Sequence, residues 1–91
     1  MNTAARDYIL WIFCEIQDNY PEVRAIYIAQ EDDGEGIVLQ VILNEGEEHE
    51  PLEDYLAVGP GQSDLIEEVY FEAGRLLGTE YDMTVLPTHV I

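Results

Sequence analysis

Apolar residues recur at intervals of three and four from Thr3 to Tyr20, which is the stripe of an amphipathic helix. Pro21 should end this helix, because the residue before a proline is pushed out of the helical conformation. On the opposite face, the polar positions are interrupted by Leu10, Trp11 and Cys14. We expect Cys14 to be a packed thiol, and Trp11 to be partly exposed, either against a loop or as an anchor for a partner.

The next two segments, 22–30 and 37–44, are rich in β-branched and aromatic residues, as strands are. Between them, residues 31–36 have the composition of a turn and carry four acids, Glu31, Asp32, Asp33 and Glu35. The pattern predicts a β-hairpin with an acidic tip. Because Ile37 to Leu43 is apolar on both faces, we expect the second strand to be central and covered on both sides.

Residues 44–62 lose this periodicity and read as a long connection, marked by glycines and prolines. After Pro51, the residues Leu52, Tyr55, Leu56 and Val58 are spaced to form one docked helical turn. A second amphipathic helix is predicted over 63–77, with Ser63 as its N-cap and Gly78 in the left-handed position that follows a helix. Tyr81 to Leu86 alternates as a last strand.

The element order is therefore α-β-β-α-β, which predicts the α+β class with two helices and a three-stranded mixed sheet. A crossover helix between the second and third strands allows those strands to be parallel. No linker divides the chain, so we expect residues 1–91 to form a single domain.

Charge changes this picture more than any motif does. The formal net charge is -17, lysine is absent, and 14 of the 20 acidic residues fall in the fifty positions between Arg24 and Arg75. Disorder is disfavoured, because the chain is 47% hydrophobic. An acidic surface of this density repels itself, nucleic acid and anionic membranes, and it attracts basic proteins.

Compartment and anchoring follow from what the chain contains. The single Cys14 cannot form an internal disulfide, the first residues do not resemble a signal peptide, and no apolar run approaches the roughly 18 residues of a membrane span. We therefore expect a soluble cytoplasmic protein with no membrane partner.

The sequence contains no residue pattern that indicates catalysis. The histidines, His49 and His89, have no triad-like spacing to Cys14, and with 20 acids no particular carboxylate pair is informative. Neither the acidic turn nor residues 47–50 have the spaced ligands of a calcium loop. We predict a protein that is not an enzyme and has no catalytic residues, metal or cofactor.

One resemblance covers Pro21 to Pro87. Glu22–Ile28, Ile37–Leu43 and the Leu-Leu-Gly helix end at 76–78 resemble, in outline, a minimal nucleotidyltransferase domain. That family has Gly-Ser after its first strand and metal-binding aspartates on its second, where this chain has Ala29-Gln30 and Leu39-Gln40-Val41. The resemblance implies a relative without catalytic activity.

A second resemblance covers Val69 to Leu86. Phe71-Glu72-Ala73 and the strand Asp82-Met83-Thr84-Val85-Leu86 resemble the final helix and strand of the barstar family of acidic ribonuclease inhibitors. By composition and size, the chain also resembles small acidic inhibitors that mimic nucleic acid, including anti-CRISPR, anti-restriction and immunity proteins.

These features favour a non-catalytic inhibitor that occupies the nucleic-acid site of a basic protein. Helix positions three or four apart lie about 5–6 Å from each other, so the acids of the second helix form a compact row. Phe71 or Tyr55 would add an apolar anchor. The predicted partner-binding residues are Glu31, Asp32, Asp33, Glu35, Glu47, Glu48, Glu50, Glu53, Asp54, Asp64, Glu67, Glu68, Phe71 and Glu72.

Two alternatives remain open. An acidic housekeeping domain of a halophile would show the same composition, because acidic surfaces keep proteins soluble in high salt. A non-catalytic dimerising module would use the Trp11 side of the first helix or a free sheet face formed by Val23, Ala25 and Tyr27.

Overall fold

The structure is a computed structural model that describes residues 3–32, 36–43, 49–56 and 63–86. Its elements follow the predicted order with one addition. They are α1 (Thr3–Asn19), β1 (Val23–Gln30), β2 (Ile37–Leu43), β3 (His49–Pro51), a 3-10 helix η1 (Leu52–Tyr55), α2 (Ser63–Leu77) and β4 (Asp82–Val85). The α+β class is confirmed, and η1 is the helical turn expected after Pro51. Val58 lies outside the described residues.

The sheet differs from the expected one in its strand number and pairing. It has four strands in the order β3-β2-β1-β4, and every neighbouring pair is antiparallel. The predicted three-stranded mixed sheet is therefore wrong in detail. β4 does run in the same direction as β2, but β1 lies between them, because β3 takes the outer edge of β2 and only the edge of β1 is left for β4.

Both helices pack on one face of this sheet, where they share a single apolar cluster. From the sheet, the cluster takes Val23, Ile26 and Ile28 of β1, Leu39 and Val41 of β2, and Val85 of β4. From the helices it takes mainly Ile9, Ile12, Phe13, Ile16, Val69, Ala73 and Leu77. The expected central position of β2 is confirmed, because it pairs with both β1 and β3. The helices cover one of its faces, and Ile42 on the other face is 8% exposed.

A β-bulge moves Val23 away from the face on which sequence alternation places it. The pairing register shifts between Val23 and Ala25, so Arg24 is the extra residue and is exposed. Val23 turns into the core, where it is fully buried. Of the three residues predicted to form a free sheet face, Val23 and Ala25 are therefore buried, and only Tyr27 is partly exposed.

The outer face of α1 matches one expectation and contradicts another. Trp11 is 53% exposed, as predicted. Cys14 is also exposed and is not the packed thiol expected, because it lies opposite the buried stripe of Ile9, Ile12 and Ile16.

Two glycines at the end of α2 have opposite conformational requirements. Gly78 has φ of +62°, a region that L side chains rarely adopt. Gly74 lies within the helix, and a Cβ there would meet Ile37 Cγ1 at an ordinary contact distance of 3.6 Å.

We predict that Gly78→Ala lowers the free energy of unfolding by about 1–2 kcal/mol, because alanine is strained at this φ. The matched change Gly74→Ala should raise it by roughly 0.5–1 kcal/mol, because alanine loses less entropy than glycine in a helix. Urea denaturation of both variants measures this. An equal loss for both would contradict the geometry of the helix end.

Candidate functional site

The exposed side of α2 carries the acidic row predicted from the sequence. Asp64, Glu67 and Glu68 are exposed, and Phe71 stands among them with 66% of its surface exposed. This follows from the helical repeat, because Val69, Ala73, Leu76 and Leu77 occupy the opposite, buried side.

Glu72 differs from the rest of the row. Its Oε1 accepts a hydrogen bond from Arg75 Nη1 at 2.9 Å, and only 15% of its side chain is exposed. Arg75 also lies 5.8 Å from the centre of the Phe71 ring, within the range of a cation–π contact. Within the described part of the chain, the acids of this helix that form no ion pair with an arginine are therefore Asp64, Glu67 and Glu68.

Tyr8 connects α1 to this row. Burial, the largest cause, and the nearby carboxylates of Glu68 and Glu72 together raise the pKa of the Tyr8 hydroxyl to about 12. The Tyr8 ring also makes an edge contact with Trp11, with centroids 5.8 Å apart. The seam between the helices thus joins an exposed tryptophan, a tyrosine and two carboxylates.

Tyr70, on the other flank of α2, lies near acids from two other segments. Its pKa is raised by burial first, then by the charges of Glu53 and Glu31. Glu31 comes from the hairpin and Glu53 from η1, so two of the acidic segments approach the second helix. Asp32 is exposed beside Glu31.

Tyr55 is the centre of a third acidic group. Burial raises its pKa most, followed by the charges of Glu50, Glu22 and Asp54. Its ring contacts Tyr20 edge to face, with centroids 4.8 Å apart. Of these acids, Glu22 was not among the predicted site residues.

Six of the predicted site residues therefore lie near three tyrosines: Glu68 and Glu72 near Tyr8, Glu31 and Glu53 near Tyr70, and Glu50 and Asp54 near Tyr55. Glu67 and Phe71, one turn apart, lie on the outer crest of α2 between the Tyr8 flank and the Tyr70 flank. We name these residues, with the acids around Tyr8, Tyr70 and Tyr55, the acidic surface. Four predicted members, Asp33, Glu35, Glu47 and Glu48, lie outside the described residues.

Few cations offset the acidic surface. Arg6 Nη2 lies 3.7 Å from Asp7, Arg75 is bound to Glu72, and Arg24 is exposed on β1. Among the described residues no charged side chain is buried, so these carboxylates face solvent.

A polar row on the open face of the sheet was not predicted. Tyr27 donates its hydroxyl to Asp82 Oδ2 at 3.1 Å, and His49 Nδ1 lies 3.1 Å from Gln40 Oε1. The Tyr27 and His49 rings meet edge to face at 5.0 Å. Sequence alternation could identify Tyr27, Gln40 and Asp82 as pointing away from the core, but His49 falls in the predicted connection, and the contacts among these residues depend on strand order.

Among the described residues, the one cysteine and the one histidine lie far apart. Cys14 lies on the outer side of the helical layer and His49 on the opposite side of the sheet, so the two cannot meet. Within the described ranges, no three His, Cys, Asp or Glu side chains are placed to hold a metal ion. His89 lies outside these ranges.

None of the helices that the structure describes is long and apolar enough to cross a membrane. Comparison of the chain with protein-family models, curated proteins and solved structures finds no match. The resemblances to nucleotidyltransferases, to the barstar family and to nucleic-acid mimics therefore stay predictions.

The raised pKa of Tyr8 sets a pH dependence of stability. An unfolded tyrosine ionises near pH 10, whereas Tyr8 in the fold ionises near 12. Between these values the unfolded state binds fewer protons, so stability should fall as pH rises from 10 to 12.

We predict that Tyr8→Phe loses less stability than the wild type across this range. Glu68→Gln should lower the pKa of Tyr8, because it removes a nearby negative charge. Absorbance titration of tyrosinate, with urea denaturation at pH 9 to 12, measures both. Tyr81→Phe is the control, since Tyr81 is 85% exposed. Identical pH profiles for Tyr8→Phe and the wild type would exclude this role for Tyr8.

Proposed function

We propose that this chain is a small, non-catalytic inhibitor whose acidic surface occupies the nucleic-acid-binding site of a basic protein, as anti-CRISPR and anti-restriction proteins do. The observation that carries the proposal is the convergence of acids from separate segments. Glu31 and Glu53 lie beside α2, which carries acids of its own. Acids that are far apart in the sequence are therefore close together in the fold.

The frame that holds these charges supports the proposal. A mimic of a phosphate backbone needs closely spaced negative charges on a support that does not collapse or disperse, since DNA carries one charge per roughly 1.7 Å of its axis. The acids of α2 are three or four residues apart, which spaces them by about 5–6 Å. Val69 and Ala73 anchor the same helix in the core with no exposed surface.

Phe71 adds an apolar contact inside this field. Interfaces bind mainly through a few aromatic or arginine side chains surrounded by weaker contacts. An aromatic ring with 66% of its surface exposed among carboxylates matches that arrangement. Charge would steer the encounter, and Phe71 would slow dissociation.

The proposal is tested by competition against purified proteins with basic nucleic-acid grooves, namely CRISPR effector nucleases and restriction endonucleases. We expect the chain to inhibit at least one of them. Added DNA or guide RNA should relieve the inhibition, and inhibition should weaken as salt rises. Binding that does not compete with nucleic acid would contradict the proposal.

Charge reversal tests the surface itself. We predict that Glu67→Lys/Glu68→Lys weakens inhibition at least tenfold, because it replaces two attractive charges on the crest and flank of α2 with repulsive ones. The control is Asp18→Lys/Glu80→Lys, which changes the net charge equally at exposed positions outside α2. Both proteins should keep the wild-type circular dichroism spectrum. Equal weakening in both would mean that net charge acts without a defined surface.

Salt dependence of folding separates this function from a halophilic housekeeping domain. We expect the chain to be folded at 50 mM NaCl and its melting temperature to rise in molar salt. The reason is that the Debye screening length falls from about 10 Å at 0.1 M to about 3 Å at 1 M, which weakens the repulsion among the carboxylates. Thermal melts followed by circular dichroism measure this. A chain that folds only in molar salt would favour the halophilic alternative.

A further inference from the structure

A groove opens where the second half of α1 meets η1 and the start of α2. It encloses about 170 Å³ and is lined by Trp11, Ile12, Ile16, Tyr55, Leu56 and Leu65. Among the described residues, two polar residues of α1, Glu15 and Asn19, also line it. The groove is therefore mostly apolar, although it lies within the acidic surface.

The size of the groove limits its occupant. An apolar cavity of roughly 150 Å³ accommodates one benzene molecule. A volume of about 170 Å³ therefore accepts one ring-sized side chain and is too small for a helix or a strand.

The aromatic walls of the groove are held in place without an occupant. Trp11 contacts Tyr8 edge to face at 5.8 Å, and Tyr55 contacts Tyr20 in the same way at 4.8 Å. Since both rings already have a packing partner, binding would cost little side-chain entropy. Trp11 remains 53% exposed, which leaves its surface available to a partner.

The acids around the groove favour a basic partner segment. Glu50, Glu22 and Asp54 act on Tyr55 at one wall, and Glu68 and Glu72 act on Tyr8 beside Trp11. No Lys or Arg is found among the described lining residues. A second copy of this chain would bring like charge against like charge, whereas a basic segment would complement the rim.

We propose that this groove receives one phenylalanine-sized apolar side chain from a basic segment of the target protein. The proposal rests on the proposed function, because the target is the same basic protein. It adds selection by shape, which negative charge alone cannot supply, because charge attracts every basic groove.

Trp11 is the chain's only tryptophan, so its fluorescence reports on the groove directly. The probe is a short synthetic peptide of Lys, Arg and Gly with one central Phe, paired with the same peptide carrying Ala at that position. We expect the Phe peptide to shift Trp11 emission to shorter wavelength and to bind at least tenfold more tightly than the Ala peptide.

Two variants connect this preference to the groove. Leu65→Phe should narrow the groove and weaken the preference for the Phe peptide, without changing the charge. Tyr81→Ala should leave the preference intact, because Tyr81 is 85% exposed and does not line the groove. If Leu65→Phe fails to fold, the two peptides on the wild-type chain still decide the question.

Equal affinity for the two peptides, or Trp11 emission that does not change, would overturn the proposal. So would self-association that buries Trp11 at 50 mM NaCl, since a second copy would then be the occupant. A preference for the Phe peptide without competition against nucleic acid would refute the proposed function and leave the groove standing. Competition with nucleic acid but no preference for the Phe peptide would support the proposed function and refute the role of the groove.

Discussion

Mutual repulsion among twenty carboxylates, set against three arginines, is the constraint on which the rest of this structure depends. Repulsion acts against any compact state, so an apolar core shared by all the long elements must offset it. The core does this by excluding charge entirely within the described residues. The sheet contributes one face and both helices contribute their stripes, which leaves the outer sides of α1 and α2 to carry acids.

Half-buried tyrosines make the boundary between these two regions. Tyr8, Tyr55 and Tyr70 each place a ring at the edge of the core and lie close enough to carboxylates for the charges to raise their pKa values. A neutral hydroxyl near a carboxylate adds no repulsion, and it ionises only at a pH far above neutral. With no lysine available, tyrosine takes the place at the core edge that a long cationic side chain often occupies.

Local periodicity was sufficient for the parts of the fold that depend on neighbouring residues. The limits of α2, the left-handed Gly78 and the turn after Pro51 follow from spacing and backbone preference alone. The strand β3, the place of β4 beside β1, and the bulge that buries Val23 depend on contacts between distant segments. The same holds for the site, because the acidic row of α2 is a helical repeat, whereas the approach of Glu31 and Glu53 to Tyr70 requires the tertiary fold.

The acidic surface and the groove would act on different parts of a binding event. Long-range attraction raises the rate of encounter with any basic surface and weakens with salt. An apolar side chain held between Trp11 and Tyr55 would instead lengthen the lifetime of the right complex, and salt has little effect on that contact. Because Tyr8 touches Trp11 and also faces Glu68, the two features meet at one seam, so a single partner docked along α1 and α2 would engage both.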